Sequence, residues 1–251
     1  MIGELYERAL AGWMRPQVEH DDGSGVPLPA DGWRHESPGD KSLLDRCQGP
    51  TLDIGSGSGR LTVALAERGV PVLGIDITPY AVELARSSGA LVMLRDVFGR
   101  VPGTGRWMTV LLADGNIGIG GDPAALLRRA AELLAPEGRA LVEVEPPGSP
   151  LRLEQVRLRA AGLASAWFPW AFVGADHIDD VARGAGLGEV ETWTVDGRWF
   201  ASIGACHFLP NGPCYPPTAV AIPAPAEADR AGSYRMVTCE PKTERTGRPG
   251  P

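Results

Sequence analysis

The order of apolar and polar positions divides the chain into strands and helices from residue 49 to about residue 147. Near-continuous apolar runs predict five strands, at "PTLDIG", "VPVLGID", "LVMLRDV", "WMTVLLAD" and "GRALVEVEP". Apolar residues at helical spacing predict three helices, at "RLTVALAERG", "TPYAVELARSSG" and "DPAALLRRAAELLAPEG". Strands that are apolar along their whole length are typical of a parallel sheet covered on both faces. The pattern therefore predicts an α/β fold with a doubly wound, mostly parallel, Rossmann-like sheet.

The segments on either side of this region follow other patterns. Residues 2–13 carry apolar side chains at helical spacing and predict an amphipathic helix. The polar residues after it are rich in Gly and Pro and predict a loop or a mobile lid, before a short helix over 40–47. From 148 to about 175, apolar and polar residues first alternate, and a group of four aromatic residues follows. This stretch predicts two strands, or one strand and an irregular arm, on the substrate side of the domain.

A helix and a hairpin are predicted to end the domain. "DHIDDVARGAGLG" predicts a helix with Asp176 as its N-cap, and Asp196-Gly197 predicts the turn of an antiparallel hairpin. The Pro-rich residues that follow predict a disordered tail. The expected parts are an N-terminal helix and lid segment (1–48), a binding domain (49–208) and the tail (209–251).

Composition and charge exclude several classes of protein. The 251 residues are 43% hydrophobic and carry a formal net charge of -7, which argues against a nucleic-acid partner. No apolar run reaches the roughly 18 residues that a membrane-spanning helix needs. The N-terminal residues lack the apolar core of a secretory signal. We therefore expect a cytoplasmic protein without a membrane or nucleic-acid partner; the sequence leaves its oligomeric state open.

The four cysteines form no C-x-x-C pair, which favours reduced thiols over a metal site. A zinc site is conceivable, but its spacing fits no common ligand pattern, so no metal is expected. Its members would be Cys206, His207, Cys214 and Cys239.

Three glycines at alternate positions, Gly55, Gly57 and Gly59, join the first predicted strand to its helix. Such a turn lets the backbone come close to a ligand. The dinucleotide fingerprint has the different spacing G-x-G-x-x-G. Asp53, inside the strand, would repel a pyrophosphate but attract an amine or a sulfonium. A ligand that combines a positive amine, a sulfonium and an adenosine would therefore suit the turn.

Two further carboxylates end the next two strands. Asp76 could accept hydrogen bonds from two ribose hydroxyls, or it could cap the helix that follows. Asp96 lies where an adenine amino group would be expected, with the backbone amide of Val97 beside it, or it could be an ordinary solvated residue. The combination of Asp53, the glycines and Asp76 is more specific than any one of them.

These motifs resemble those of class I S-adenosylmethionine-dependent methyltransferases. The resemblance rests on "LDIGSGSGR", "LGIDITPYAVELAR", "LRDVF" and "LLAPEGRALVEV", covers about residues 45–147 and extends by the order of elements to about 208. It implies S-adenosyl-L-methionine as cofactor, and it implies that Arg60 either reaches the methionine carboxylate or faces solvent. The implied cofactor-binding residues are Asp53, Gly55, Ser56, Gly57, Gly59, Asp76, Ile77, Asp96, Val97 and Ala113.

The acceptor is expected at the carboxyl ends of the strands, where ligands of open α/β sheets bind. Asp114 and Asn116 follow the fourth predicted strand and are candidates for the wall beside the reacting groups; the alternative is a flexible connection. Trp167 and Trp170 could shape a pocket for a flat or apolar substrate, or they could cover the sheet.

Two residues are candidates for acid–base catalysis. His177 is the histidine closest to predicted active-site elements and could serve as a general base, although a histidine at a helix start is often structural. Glu145 lies near the end of the fifth predicted strand and could point toward the site or into solvent.

The sequence therefore predicts an enzyme that transfers a methyl group to a small-molecule acceptor. The Gly-, Pro- and Arg-rich composition and the aromatic segment suggest a role in secondary metabolism. An NAD-dependent oxidoreductase and a non-catalytic methyltransferase-like binding domain remain the alternatives.

Overall fold

The structure, a computed structural model, describes residues 3–205, in which helices and strands alternate. The helices are α1 (Gly3–Leu10), α2 (Pro38–Leu44), α3 (Arg60–Glu67), α4 (Pro79–Ser87), α5 (Pro123–Leu133) and α6 (Ile178–Gly184). The strands are β1 (Gln17–His20), β2 (Gly25–Pro27), β3 (Thr51–Ile54), β4 (Val72–Asp76), β5 (Val92–Leu94), β6 (Trp107–Leu112), β7 (Leu134–Val144), β8 (Arg152–Ala160), β9 (Leu163–Ala164), β10 (Phe168–Phe172), β11 (Leu187–Val195) and β12 (Arg198–Ala205). Two 3₁₀ helices cover Ala30–Arg34 and Asn116–Gly118. The predicted tail and the conceivable zinc ligands lie outside the described residues.

A seven-stranded sheet forms the centre of the described fold, in the order β11-β12-β7-β6-β3-β4-β5. The five strands from β7 to β5 in this order pair in parallel, and β12 and β11 continue the sheet in antiparallel pairs. Asp196 and Gly197 join the last two strands with φ values of 54° and 76°, as a tight hairpin turn requires. The predicted doubly wound, mostly parallel sheet that ends in a hairpin is confirmed.

The central strands are apolar because both faces of this sheet are covered. Val110 and Leu112 of β6 belong to a buried cluster that includes residues of α5 and α6. Leu111, between them, belongs to a second buried cluster, which includes residues of α2 and α3. Successive side chains of a strand point to opposite faces, so an uninterrupted apolar run supplies both layers of the core.

A second, antiparallel sheet has the order β10-β8-β1-β2, with β9 paired to β8. Its strands β1 and β2 lie in the segment that the sequence predicts as a loop or lid, so that prediction is wrong over residues 17–20 and 25–27. These strands have four and three residues and show no apolar run of their own. They form because β1 pairs with β8, where Val18 lies opposite Leu158.

Three other local predictions also differ from the structure. α1 ends at Leu10, and the segment predicted as the end of α5 is instead the start of β7. Asp176 is not an N-cap: His177 occupies that position, and the Asp176 carboxylate accepts a hydrogen bond of 2.7 Å from the backbone of Gly148. Among the described helices none is long and apolar enough to span a bilayer.

Candidate active site

A cavity of about 680 Å³ lies at the carboxyl ends of the parallel strands. The glycine turn, the end of β4, the segment after β6 and one face of the second sheet line it. Ligands of open α/β sheets bind at this edge. The predicted site residues that line the cavity are Asp53, Gly55, Ser56, Gly57, Asp76, Ile77, Asp96, Val97, Ala113, Asp114, Asn116, Glu145 and Trp170.

Three predicted site residues do not line this cavity: Gly59, Trp167 and His177. Gly59 has φ 82°, and a Cβ there would lie 2.8 Å from the Cβ of Ala85 in α4, so this glycine is needed for packing. Trp167 is exposed, and the guanidinium of Arg157 lies 4.5 Å from its ring centre. His177 starts α6, where its backbone N–H donates to the carbonyl of Gly174. These three residues therefore do not face the cavity, although Gly59 belongs to the glycine turn, where its N–H donates to the carbonyl of Ser56.

The carboxylate of Asp76 holds the glycine turn in place. Its Oδ2 accepts a hydrogen bond of 3.0 Å from the backbone of Gly57, and its Oδ1 accepts one of 2.8 Å from the backbone of Thr78. Gly57 has φ 52°, and a Cβ there would meet only the Tyr6 hydroxyl, at 3.6 Å. Burial raises the pKa of Asp76. Hydrogen bonds from Gly57, Thr78 and Ile77 to this carboxylate lower its pKa, against the effect of burial.

The floor of the turn contains a buried carboxylate and an unpaired hydroxyl. Asp53 is buried and accepts a hydrogen bond of 2.7 Å from the hydroxyl of Thr62. Burial raises the pKa of Asp53 to about 6, against the effect of that hydrogen bond. The buried hydroxyl of Ser56 has no hydrogen-bond partner within residues 3–205. Buried polar groups are usually paired, so a bound polar ligand is a fitting partner for this hydroxyl.

Asn116 supports the glycine turn from the side. Its amide nitrogen donates to the carbonyls of Ile54 and Gly55 at 2.9 and 3.0 Å. A Cβ on Gly55, which has φ 70°, would lie 2.7 Å from that nitrogen. The sequence suggests a wall beside the acceptor for this residue, but its donors are used to fix the turn. Asn116 therefore acts on the shape of the cavity at the glycine turn.

A cluster of five charged side chains lies beside the segment after β6, and all of them except Asp40 line the cavity. Arg60 is paired with Asp114 at 2.6 Å and also with Asp40, so it does not face solvent. Arg198 is paired with Glu143 at 2.7 Å and with Asp40 at 2.8 Å. Three carboxylates and two guanidinium groups leave this cluster with one net negative charge when all are ionised.

Asp114 follows β6 and is one of the cluster residues that line the cavity. It has φ 54°, an uncommon conformation for a residue other than glycine, and its backbone N–H donates to Glu143 at 2.6 Å. Burial raises the pKa of Asp114 to about 6. The charge of Arg60 lowers this pKa, and the charge of Glu143 raises it. Together with Asp53 and Asp76, Asp114 gives this end of the cavity an acidic character that suits a cationic ligand.

Apolar side chains border the cavity near Asp96. The carboxylate of Asp96 accepts a hydrogen bond of 2.9 Å from the backbone of Phe98, and Val97 is buried beside it. Ile77 is 52% exposed although it is a large apolar residue, and both Ile77 and Phe98 line the cavity. Exposed apolar side chains next to a carboxylate can cover a flat ring that carries an amino group.

The opposite wall of the cavity is apolar and aromatic. Phe168 and Trp170 meet edge to face, with 6.1 Å between ring centres. Trp170 packs closely on the segment after β6, since a Cβ on Gly118 would lie 2.3 Å from its indole nitrogen. The side chains of the second sheet that form this apolar wall are Val18, Val26, Val156, Leu158, Phe168, Trp170 and Phe172.

Several residues of the site carry no recognisable sequence signal. Tyr6 lies on the amphipathic α1, whose apolar spacing suggests only packing. Burial raises the pKa of Tyr6, and the charges of Asp76 and Asp114 raise it further, so it is a neutral phenol at the turn. Arg198 follows a hairpin turn, a common place for a solvated arginine. Only the tertiary contacts identify these residues.

Comparison with known proteins assigns the class of the fold. A family model described as "Methyltransferase domain" matches residues 41–190. This match covers more than half of the chain, and the chain therefore belongs to the methyltransferase domain family.

Solved structures with the same fold are similar over most of their length. A SAM-dependent methyltransferase from Bacteroides fragilis, in complex with S-adenosyl-L-homocysteine, has a TM-score of 0.67 at 21% identity and covers 81% of this chain and 94% of its own. A 1,6-didemethyltoxoflavin-N1-methyltransferase from Burkholderia thailandensis has a TM-score of 0.52 at 21% identity. The similarity covers 70% of this chain and 81% of that enzyme. At these identities the similarity shows the fold alone.

Curated relatives match over a short segment. A protein named as an N5-glutamine methyltransferase, from Methanocaldococcus jannaschii, is 40% identical over 52 residues, which are 20% of this chain and 26% of the relative. The matched segments span 26% or less of the length of the curated relatives.

Proposed function

We propose that this protein transfers a methyl group from S-adenosyl-L-methionine to a small-molecule acceptor. The observation that carries the proposal is one cavity with two chemically different ends. One end has three carboxylates and a glycine turn, and the other has an apolar, aromatic wall. The first suits a cationic nucleoside, and the second suits an organic acceptor.

The residues present fit this cofactor. Bound there, S-adenosyl-L-methionine would supply a methyl group on a positively charged sulfur. In the proposal, Asp76 accepts hydrogen bonds from the ribose, while Asp96 and the amide of Val97 meet the adenine. Asp53 and the glycine turn hold the methionine end. Two observations support this arrangement: a Cβ on Gly57 would meet the Tyr6 hydroxyl at an ordinary contact distance of 3.6 Å, and the Ser56 hydroxyl has no hydrogen-bond partner among the residues that the structure describes.

The protein's own contribution to the reaction is then largely positioning. Holding two reactants at near-attack distance can supply about 7–11 kcal/mol of the barrier. The aromatic wall, with Trp170, would hold the acceptor, and Tyr6 and Asp114 would border the space between the two ligands. Glu145 is the candidate for a group that touches the acceptor, since it lines the cavity.

A role in secondary metabolism is part of the proposal. The structural relatives include an amino pentose methyltransferase from Micromonospora echinaspora that is involved in calicheamicin biosynthesis, with a TM-score of 0.52 at 17% identity.

Calorimetric titration with S-adenosylhomocysteine tests the cofactor, with NADH as the second ligand. We expect saturable binding of the first and none of the second. Asp76→Asn should weaken binding by about 1–3 kcal/mol, because a hydrogen bond to a charged group is lost. Asp179→Asn, on the exposed face of α6, is the matched control and should bind as the wild type does.

The alternatives have distinct outcomes in the same titration. Binding of NADH without S-adenosylhomocysteine would support an oxidoreductase and refute the proposal. Binding of S-adenosylhomocysteine without methyl transfer to any acceptor of a broad metabolite extract would support a non-catalytic binding domain.

A further inference from the structure

Glu145 offers a carboxylate oxygen to the cavity that it lines. It directly follows β7, and two backbone hydrogen bonds fix its place: its N–H donates to the carbonyl of Val173, and its carbonyl accepts from the N–H of Ala175. The carboxylate has one partner among the described residues, Arg152, at 3.3 Å from Oε1. Within that part of the chain Oε2 accepts no hydrogen bond, so a ligand can provide its partner.

This carboxylate lies beside the aromatic wall. The guanidinium of Arg152, the partner of Glu145, is 4.6 Å from the ring centre of Phe172. Phe172 and Trp170 are two residues apart in β10 and both line the cavity, whereas Arg152 does not. A ligand on the aromatic wall therefore meets ring surfaces and, next to Phe172, the negative charge of Glu145 without the cation that is paired with it.

The segment after β6 connects this place to the glycine turn. Its Asn116 donates to the carbonyl of Gly55 in the turn, and its Asp114 donates a backbone hydrogen bond of 2.6 Å to Glu143. Side chains two positions apart along a strand point to the same side, and Glu143 and Glu145 both line the cavity. Glu145 is thus one step farther from the turn than Glu143, on the side of the aromatic wall.

The charges around the cavity favour a cationic group on the acceptor. Among the described lining residues there are six carboxylates and three guanidinium groups, which leaves three net negative charges when all are ionised. S-adenosyl-L-methionine carries one net positive charge, so it compensates only one of the three. The lining residues counted are Asp53, Asp76, Asp96, Asp114, Glu143 and Glu145, with Arg60, Arg95 and Arg198.

We propose that the acceptor is an organic amine with an apolar, ring-containing body, and that Glu145 binds its nitrogen. This inference rests on the proposed function and names its substrate class. The neutral amine donates one N–H to Glu145, and its lone pair forms the bond to the methyl carbon. The bond from that carbon to sulfur breaks, and its electron pair stays on sulfur. The positive charge moves from sulfur to nitrogen, where the carboxylate stabilises it, and no proton leaves the amine in this step.

Binding to the protein saturated with S-adenosylhomocysteine tests the inference without knowledge of the natural acceptor. The probes are 2-phenylethylamine, a cation at neutral pH, and 2-phenylethanol, a neutral compound of nearly the same shape. Together with the neutral sulfur of S-adenosylhomocysteine, the ammonium group reproduces the charges that follow methyl transfer. In calorimetry the amine should bind at least about tenfold more tightly than the alcohol, because hydrogen bonds between charged groups are stronger than neutral ones.

Variants assign this preference to one side chain. Glu145→Gln keeps the size of the side chain but removes its charge, so it should abolish most of the preference while leaving the affinity for S-adenosylhomocysteine unchanged. Glu191→Gln, which removes an exposed carboxylate from β11, is the matched control and should keep the full preference. On the wild type, 3-phenylpropionate should bind more weakly than the alcohol. The comparison of the three probes on the wild type stands by itself if a variant fails to fold.

Each contrary result has its own meaning. Equal binding of the amine and the alcohol, or absence of amine binding to the saturated protein, would refute the acceptor class. A preference for the amine that persists in Glu145→Gln would refute Glu145 as the group that binds the nitrogen. Failure of the wild type to bind S-adenosylhomocysteine would instead overturn the proposed function.

Discussion

Replacing Arg198 by alanine should destabilise the fold, because this side chain joins three separate elements. It is paired with Asp40 in α2, with Glu143 in β7 and, at 3.3 Å, with Asp114 after β6. It also donates to the hydroxyl of Ser37, the N-cap of α2. Its removal therefore takes away the ion pairs between α2 and the hairpin, although Trp193 still donates to Ser42 of α2, and it changes the charge of the cluster from one net negative charge to two.

The magnitude follows from what remains after the substitution. Arg60 still pairs with Asp40 and Asp114, but Glu143 keeps no cationic partner in the cluster. Breaking a buried ion pair by removing one partner costs about 3–5 kcal/mol. The side chain of Arg198 is 24% exposed, so solvent screens part of the loss. We expect a decrease of about 3 kcal/mol in the free energy of unfolding, near the lower limit of that range.

Equilibrium unfolding in urea, followed by circular dichroism, measures this change. Arg198→Lys keeps the charge but not the forked geometry and should retain part of the stability. Arg183→Ala is the matched control, since Arg183 is exposed and pairs only within α6, with Asp179 and Asp180. The reasoning is refuted if Arg198→Ala unfolds at the same urea concentration as Arg183→Ala.

The acidic end of the cavity and the support of the turn give two further predictions. Because burial raises the pKa of Asp53 and of Asp114 to about 6, S-adenosylmethionine should bind more weakly as the pH falls below about 6, when these carboxylates lose their charge. S-adenosylhomocysteine has no sulfonium and should lose less affinity in calorimetry; equal losses would contradict the assignment. Asn116→Ala should reduce S-adenosylhomocysteine affinity by about 1–2 kcal/mol, since the glycine turn loses two hydrogen bonds. An unchanged affinity together with reduced methyl transfer would instead support the interpretation of Asn116 as part of the wall beside the acceptor.

The same raised pKa values affect the stability of the ligand-free protein. The folded state holds protons on Asp53 and Asp114 more tightly than the unfolded state does. These two groups therefore lower the stability as the pH rises from about 4 to about 6. A ligand cation that favours the ionised carboxylates acts against this loss.

The central sheet and the glycine turn at its edge could be predicted because their signals are local. Strand, glycine turn and helix follow one another within 20 residues, and the positions of Asp53 and Asp76 follow from the ends of their strands. An apolar run predicts a strand covered on both faces whatever the rest of the chain does. The same argument could not separate Gly57, which faces the cavity, from Gly59, which packs on α4, because both have the same local pattern.

The apolar, aromatic wall of the cavity could not be predicted, because its parts are far apart in the chain. Val18 and Leu158 are partners in the second sheet although 140 positions separate them, and the strand that holds Val18 has only four residues. A strand of this length has no periodicity to detect and is stabilised by its pairing with β8. The histidine that the sequence favoured, His177, is close to the site in the chain, but it does not line the cavity.

The sequence by itself determined the parallel sheet, the glycine turn and the carboxylates at the strand ends, since each depends on neighbours within one strand–turn–helix unit. The tertiary structure alone decided which polar groups meet. It brought Arg198 to Asp40 and Glu143, and it closed the cavity with a second sheet made from two distant segments. Hydrogen bonds and ion pairs depend on distances of about 3 Å between side chains, and only the packed chain fixes such distances.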